Sequence, residues 1–142
     1  MTTVLCHGCF DVLHIGHVRF LHAAKALGTR LIVSITADQF VQKGHGRPVF
    51  TDQDRREMLL CLYFVDEVFI SYDATGLDAI RTLRPDVYVK GGDYANGDAS
   101  GRLTLERQEV EAYGGRVVIL DCPPRYSSTA ILDTIHDLAR AV

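Results

Sequence analysis

Two histidines, separated by one apolar residue and a glycine in His14-Ile15-Gly16-His17, carry the clearest chemistry in this 142-residue chain. They fall where the apolar run Thr3-Val4-Leu5-Cys6 gives way to a helix-like run from Val18 to Leu27, stopped by Gly28. A helix N-terminus carries unpaired N–H groups and partial positive charge, so it attracts phosphate. Gly16 lets the main chain approach an anion closely. His14 and His17, three residues apart, can both project from the first turn. There they can donate hydrogen bonds to a phosphate whose charge grows in a transition state. The competing reading is that both rings only cap and pack the helix start. Cys6-x-x-Cys9 has the spacing of a redox pair or half a zinc site, but Cys61 and Cys122 stand alone. Buried or loop thiols are therefore expected.

The rest of the chain alternates strand and helix signals. Strands are predicted at Leu31 to Thr36, Val65 to Ile70, Asp86 to Lys90 and Arg116 to Leu120. Helices are predicted from Gln53 to Leu62 behind a Thr51 or Asp52 cap, and from Thr75 to Leu83, ending before Pro85. Two more run from Leu103 to Tyr113, closed by Gly114-Gly115, and from a Ser127 cap to Ala139. Five short apolar strands separated by helices specify an α/β fold, with a parallel sheet covered on both faces. With right-handed crossovers, the expectation is a doubly wound Rossmann-like sheet in the order 3-2-1-4-5. Ligands in such sheets sit at the carboxyl ends of the strands, at the switch between strands 1 and 4. The polar, glycine-containing segments Phe40 to Phe50 and Tyr94 to Arg102 are candidate lids.

Length bounds this to one domain, residues 1–142, able to bury about 68–70% of its unfolded surface. Hydrophobic residues make up 47% and charged residues 23%, ordinary for a globular enzyme. A net charge of −3 argues against nucleic-acid or anionic-membrane partners. No apolar run is long enough to span a bilayer, and a strand starts at once, so a cytoplasmic protein is expected.

The string from Gly8 to His17 resembles the signature of the nucleotidyltransferases that include the cytidylyltransferases and the adenylyltransferases of pantetheine and heptose phosphates. It matches at Gly8, Phe10, Asp11, His14, Gly16 and His17. Tyr126-Ser127-Ser128-Thr129-Ala130-Ile131 is similar to the family's second motif. Hydroxyls and amides at a helix start suit the outer phosphates of a nucleoside triphosphate. Val89-Lys90-Gly91-Gly92-Asp93-Tyr94 looks like the heptose-1-phosphate adenylyltransferase branch. Tyr63 to Val68 fits the glycerol-phosphate cytidylyltransferases at least as well.

The resemblance implies that His14, His17 and a mobile Lys43 are catalytic. Nucleotide contacts are implied for Gly8, Cys9, Phe10 and Gly16, for Lys90, Gly91 and Asp93, and for Arg125, Ser127, Ser128 and Thr129. Acceptor contacts are implied for Asp11, Asp38 and Arg55. The expected reaction is in-line nucleotidyl transfer, by positioning and charge stabilisation. Magnesium is expected on the triphosphate, held mainly by phosphates and water. The first functional reading is an ATP-using adenylyltransferase acting on heptose 1-phosphate that a separate kinase supplies. The second is a CTP-dependent enzyme for glycerol 3-phosphate or another polyol or sugar phosphate. A third, of another class, is a nucleotide-binding regulatory module without turnover. A homodimer is expected, through the region Leu59 to Ile70.

Overall fold

The computed structural model describes residues 1–92, 100–120 and 126–141. In chain order the elements are β1 (Thr3–Gly8), α1 (Ile15–Lys25), β2 (Arg30–Thr36), α2 (Asp52–Leu60), β3 (Glu67–Ser71) and α3 (Leu77–Leu83). They continue with β4 (Val87–Gly91), α4 (Arg102–Ala112), β5 (Arg116–Leu120) and α5 (Ser128–Arg140). A 3-10 turn, Asp38–Phe40, follows β2. The strands form one parallel sheet in the order β3-β2-β1-β4-β5, as the sequence predicts.

Residues on alternate sides of each strand build two cores. Val4, Cys6, Val33 and Val89 pack with Leu21 and Ala24 of α1 and Leu59 of α2. Leu5, Ile32 and Tyr88 pack with Ala79 and Ile80 of α3 and Val110 of α4. Each such Val, Leu or Ile contributes about 1.5–3 kcal/mol through burial. Toward the carboxyl edge, the α3–α4 face changes character. The alternation carries it from Leu5 to His7, from Ile32 to Ser34 and Thr36, and from Tyr88 to Lys90. A polar floor thus lies where β1 and β4 send their crossovers to opposite faces.

Local sequence sets the boundaries. Thr51 caps α2 by accepting from the Asp54 amide at 3.2 Å, and Ser127 caps α5 through the Ala130 amide at 3.0 Å. Arg84 closes α3 in the left-handed region at φ 45°, and Pro85 then bars continuation. Helix α1 begins at Ile15, three residues before the expected Val18, because an imidazole serves as its cap. The apolar residues Leu59, Phe64, Val65 and Val68, expected at a subunit interface, lie in the chain's own core, leaving Leu60 and Tyr63 exposed. Among the described residues, no helix is long and apolar enough to cross a membrane.

Candidate active site

Each fixed position of the Gly8–His17 signature has a mechanical role. A Cβ at Gly8 would lie 2.9 Å from the Phe10 ring, so only glycine lets that ring fold back. Phe10 holds φ at 53°, is buried, and meets the His17 ring edge-on at 5.1 Å. The His14 and His17 rings stack at 3.8 Å. The Gly16 amide donates to His14 Nδ1 at 3.1 Å, and the His14 amide donates to His17 Nδ1 at 3.2 Å. A Cβ at Gly16 would sit 2.8 Å from His14 Cε1 and push the ring out of the cap.

This reciprocal capping fixes the chemistry of both rings. A nitrogen that accepts an amide proton cannot carry a proton itself, so each neutral imidazole holds its N–H on Nε2. Burial lowers the His17 pKa to about 4, with His14 and the Lys43 charge adding to the effect, and burial lowers that of His14 too. Both rings are therefore neutral donors at pH 7. Helix α5 supplies the opposite wall. The Ser128 hydroxyl donates to the Val12 carbonyl at 2.7 Å, and Tyr126 lies 6.4 Å from the His14 ring. The N-termini of α1 and α5 thus converge on the two imidazoles, making a seam of amide donors and partial positive charge. Thr129 sits exposed in the first turn of α5.

The expected acceptor ligands are engaged within the protein. Asp11 is 1% exposed; its carboxylate accepts from the Val49 and Phe50 amides at 2.7 and 3.1 Å and from Arg47 Nε at 3.3 Å. Arg47 also donates to the Asp11 carbonyl. Arg55 is fully buried and donates to the Phe50 and Cys9 carbonyls at 3.0 Å each and to Asp38 Oδ1 at 2.9 Å. Asp38 and Asp52 exchange amide-to-carboxylate bonds at 2.8 and 3.1 Å. These three residues tie the 38–55 loop to the end of β1. The tip of that loop, with Gly44 at φ 94° and Gly46 at φ 78°, is exposed and carries Lys43. Amide exchange at residues 41–46 should slow when a triphosphate is added, while the Val49 and Phe50 amides stay protected with or without it. Strong protection of 41–46 in the free protein would show that this loop does not close.

A cavity of about 280 Å³ opens beside the seam. It is lined by His7 and Cys9 from β1 and its exit, Thr36, Lys43, Lys90, and Arg102 and Glu106 of α4. His7 Nδ1 lies 2.7 Å from Ser34 Oγ, and burial lowers its pKa to about 3. Lys90 Nζ stands 3.7 Å from Glu106 Oε2. Cys6 is buried in the core, Cys9 faces the cavity, and burial pushes both thiols up. Among the described residues no group of His, Cys, Asp and Glu could hold a metal. Gly91 ends β4 near the cavity, whereas Asp93, Tyr94, Cys122 and Arg125 lie outside the described residues, as does most of the second candidate lid.

The three partly buried histidines give acid sensitivity of known sign. Their folded pKa values lie below the ordinary 6.5, so the unfolded chain takes up protons first as pH falls. Their effect is absent above about pH 7, begins near 6.5, and grows until about 4 for His17 and about 3 for His7. For His7 the loss is at most about 1.4 kcal/mol per pH unit. Melting temperature should therefore drop between pH 7 and 4, and His7→Asn should make the decline shallower; an unchanged slope in that variant would mean His7 is solvated.

A phosphate chain lying across the seam would meet the neutral Nε2–H donors of His14 and His17 and the amides of two helix starts. That arrangement suits the handling of a phosphate chain. The chain belongs to the cytidylyltransferase-like family, which matches residues 5–133. It is 40% identical over 138 residues, 96% of its length, to the bifunctional protein HldE of Syntrophotalea carbinolica. It is 43% identical over 137 residues, 95% of its length, to the bifunctional protein HldE of Pseudomonas entomophila. It spans 27% and 28% of those two relatives. The lipopolysaccharide core biosynthesis protein of Thermoplasma volcanium superposes with a TM-score of 0.69 at 24% identity, covering 89% of this chain and 99% of that one. Pantothenate synthetase of Thermus thermophilus superposes at 0.62 with 16% identity, over 92% of this chain and 61% of that one. These two likenesses are of fold alone.

Proposed function

We propose that the protein transfers an adenylyl group from ATP to the phosphate of a sugar phosphate, heptose 1-phosphate in the first instance, releasing pyrophosphate. The observation that carries this reading is the pair of Nε2–H donors fixed by reciprocal capping beside a second helix N-terminus. An oxygen of the acceptor phosphate attacks the α-phosphorus. A new O–P bond forms, the bond to the bridging oxygen breaks, and pyrophosphate leaves with the electron pair. The attacking oxygen is already anionic, so no general base is needed. His14 and His17 donate to the oxygens where charge grows, and Lys43 and the start of α5 hold the outer phosphates. Magnesium carried on the triphosphate would be held by phosphate oxygens and water.

The heptose reading draws on the Val89-Lys90-Gly91-Gly92 string and on the similarity to the HldE proteins. The cytidylyl alternative draws on Tyr63 to Val68, but that stretch lies around the amino end of β3, away from the cavity. There Asp66 accepts from the Leu31 amide at 2.7 Å, a structural role. We expect kcat/KM for ATP at least roughly tenfold above that for CTP, about 1.4 kcal/mol in transition-state binding. The test is a matrix of four nucleoside triphosphates against several sugar and polyol phosphates, read by pyrophosphate release. A preference for CTP moves the protein to the cytidylyl branch. Nucleotide binding without release in any pairing favours a regulatory module.

A further inference from the structure

The cavity beside the histidine seam has chemistry that phosphate binding does not use. Glu106 is 2% exposed. Its Oε1 accepts from the Gly76 amide at 2.9 Å, but its Oε2 accepts no hydrogen bond. Lys90 faces that oxygen from 3.7 Å, close enough to balance its charge and too far to satisfy its lone pairs. A buried carboxylate oxygen left in this state is costly, and what completes it is a donor. Glycine at position 76 is required by this arrangement, since a Cβ there would meet both the Tyr88 hydroxyl and Glu106 Oε1.

Among the described residues, the Glu106 and Lys90 charges on the floor offset one another, and His7 is held neutral with Ser34 on one ring nitrogen and Thr36 Oγ1 3.5 Å from the other. Positive charge sits instead at the mouth. Lys43 lies on the exposed loop, and Arg102 reaches across to Gln42 Oε1 at 3.3 Å. A ligand that fits both zones has an anionic end at the mouth and an uncharged, hydroxyl-bearing body on the floor. At about 280 Å³ the cavity is at the small end of the ~300–1,000 Å³ range of small-molecule sites, suited to a sugar phosphate.

We propose that this floor is the specificity site for the acceptor's sugar body, with Glu106 accepting from a sugar hydroxyl and Lys90 and His7 bracketing its neighbours. The proposal rests on the sugar-phosphate reading above and assigns that role to residues other than Asp11, Asp38 and Arg55. Hydroxyl donation to Glu106 explains selection by class. A body without a hydroxyl at that point leaves the carboxylate unpaired, and an anionic body is repelled by it.

The test compares the wild type with Glu106→Gln and His7→Asn in steady-state kinetics, using heptose 1-phosphate and ATP. We expect KM for heptose 1-phosphate to rise tenfold or more in Glu106→Gln and several-fold in His7→Asn, with KM for ATP unchanged within twofold. An unchanged acceptor KM in either folded variant, or an equal rise for ATP, overturns the proposal. Should Glu106→Gln not fold, histidine NMR on the wild type gives an independent reading. Heptose 1-phosphate should move the His7 ring resonance, and pyrophosphate should move those of His14 and His17. Heptose 1-phosphate acting only on His14 and His17 also overturns it. A wild type that adenylylates no sugar phosphate fails the functional reading itself and takes this proposal with it. An active wild type with an indifferent floor fails this proposal alone.

Discussion

Replacing His17 by alanine is expected to lower kcat about 10²–10³-fold with little change in KM for the triphosphate, the pattern for loss of a donor used only in the transition state. The physical basis is the held Nε2–H. The His14 amide on Nδ1 fixes the tautomer, Phe10 closes one side of the ring and His14 stacks on another. The donor is thus oriented before substrate arrives and needs no reorganisation. His14→Ala should show the same fall in kcat plus about 1 kcal/mol of lost stability, because the residue is also the cap of α1. Pyrophosphate release and thermal melting, measured on the same samples, separate the two roles. Normal turnover in either variant would remove the histidines from the chemistry. A large drop in melting temperature with His17→Ala would make that ring a packing element.

Arg55→Ala should act in the opposite way, on the fold before the chemistry. The guanidinium is fully buried and makes three hydrogen bonds in divergent directions, to two carbonyls and to Asp38. Removing it leaves both carbonyls without that donor, while the partly exposed Asp38 carboxylate keeps the Asp52 amide, at an expected cost of about 2–4 kcal/mol. For a chain of this size that is a fall of about 10 °C in melting temperature. Arg55→Lys should recover little, since one ammonium cannot reproduce a planar fork. Measured well below the lowered melting point, the acceptor KM of Arg55→Ala should stay near that of the wild type. A wild-type melting temperature with a large rise in acceptor KM would instead place Arg55 on the acceptor.

The fold was legible where the physics is local and periodic. Strand β5 runs from Arg116 to Leu120 as its apolar run predicts, and the order 3-2-1-4-5 follows from alternation and crossover handedness. The start of α1 was not, since histidine is an uncommon N-cap and its role depends on a second histidine reaching back. Asp11, Asp38 and Arg55 read as acceptor ligands through the family resemblance. Only the tertiary structure shows the amides and carbonyls that engage them. His7 and Glu106 belong to no motif in the sequence, although each leaves a trace. His7 continues the inward alternation of Leu5, and Glu106 sits on the apolar stripe of α4 between Leu103 and Val110. A titratable residue on a core stripe near a strand's carboxyl end is the signal that would have found both.

The bond from the Ser128 hydroxyl to the Val12 carbonyl joins residues 116 positions apart. That hydroxyl comes from α5, which is no part of the sheet, so β1 to β5 can pair whether or not the second wall of the seam is in place. On the proposed function, nucleotide capture would then depend on the docking of α5 and not on the core alone. A fragment ending shortly after β5 should keep the sheet and lose the grip on pyrophosphate, which makes the docking of one helix the step that turns a folded scaffold into a working enzyme.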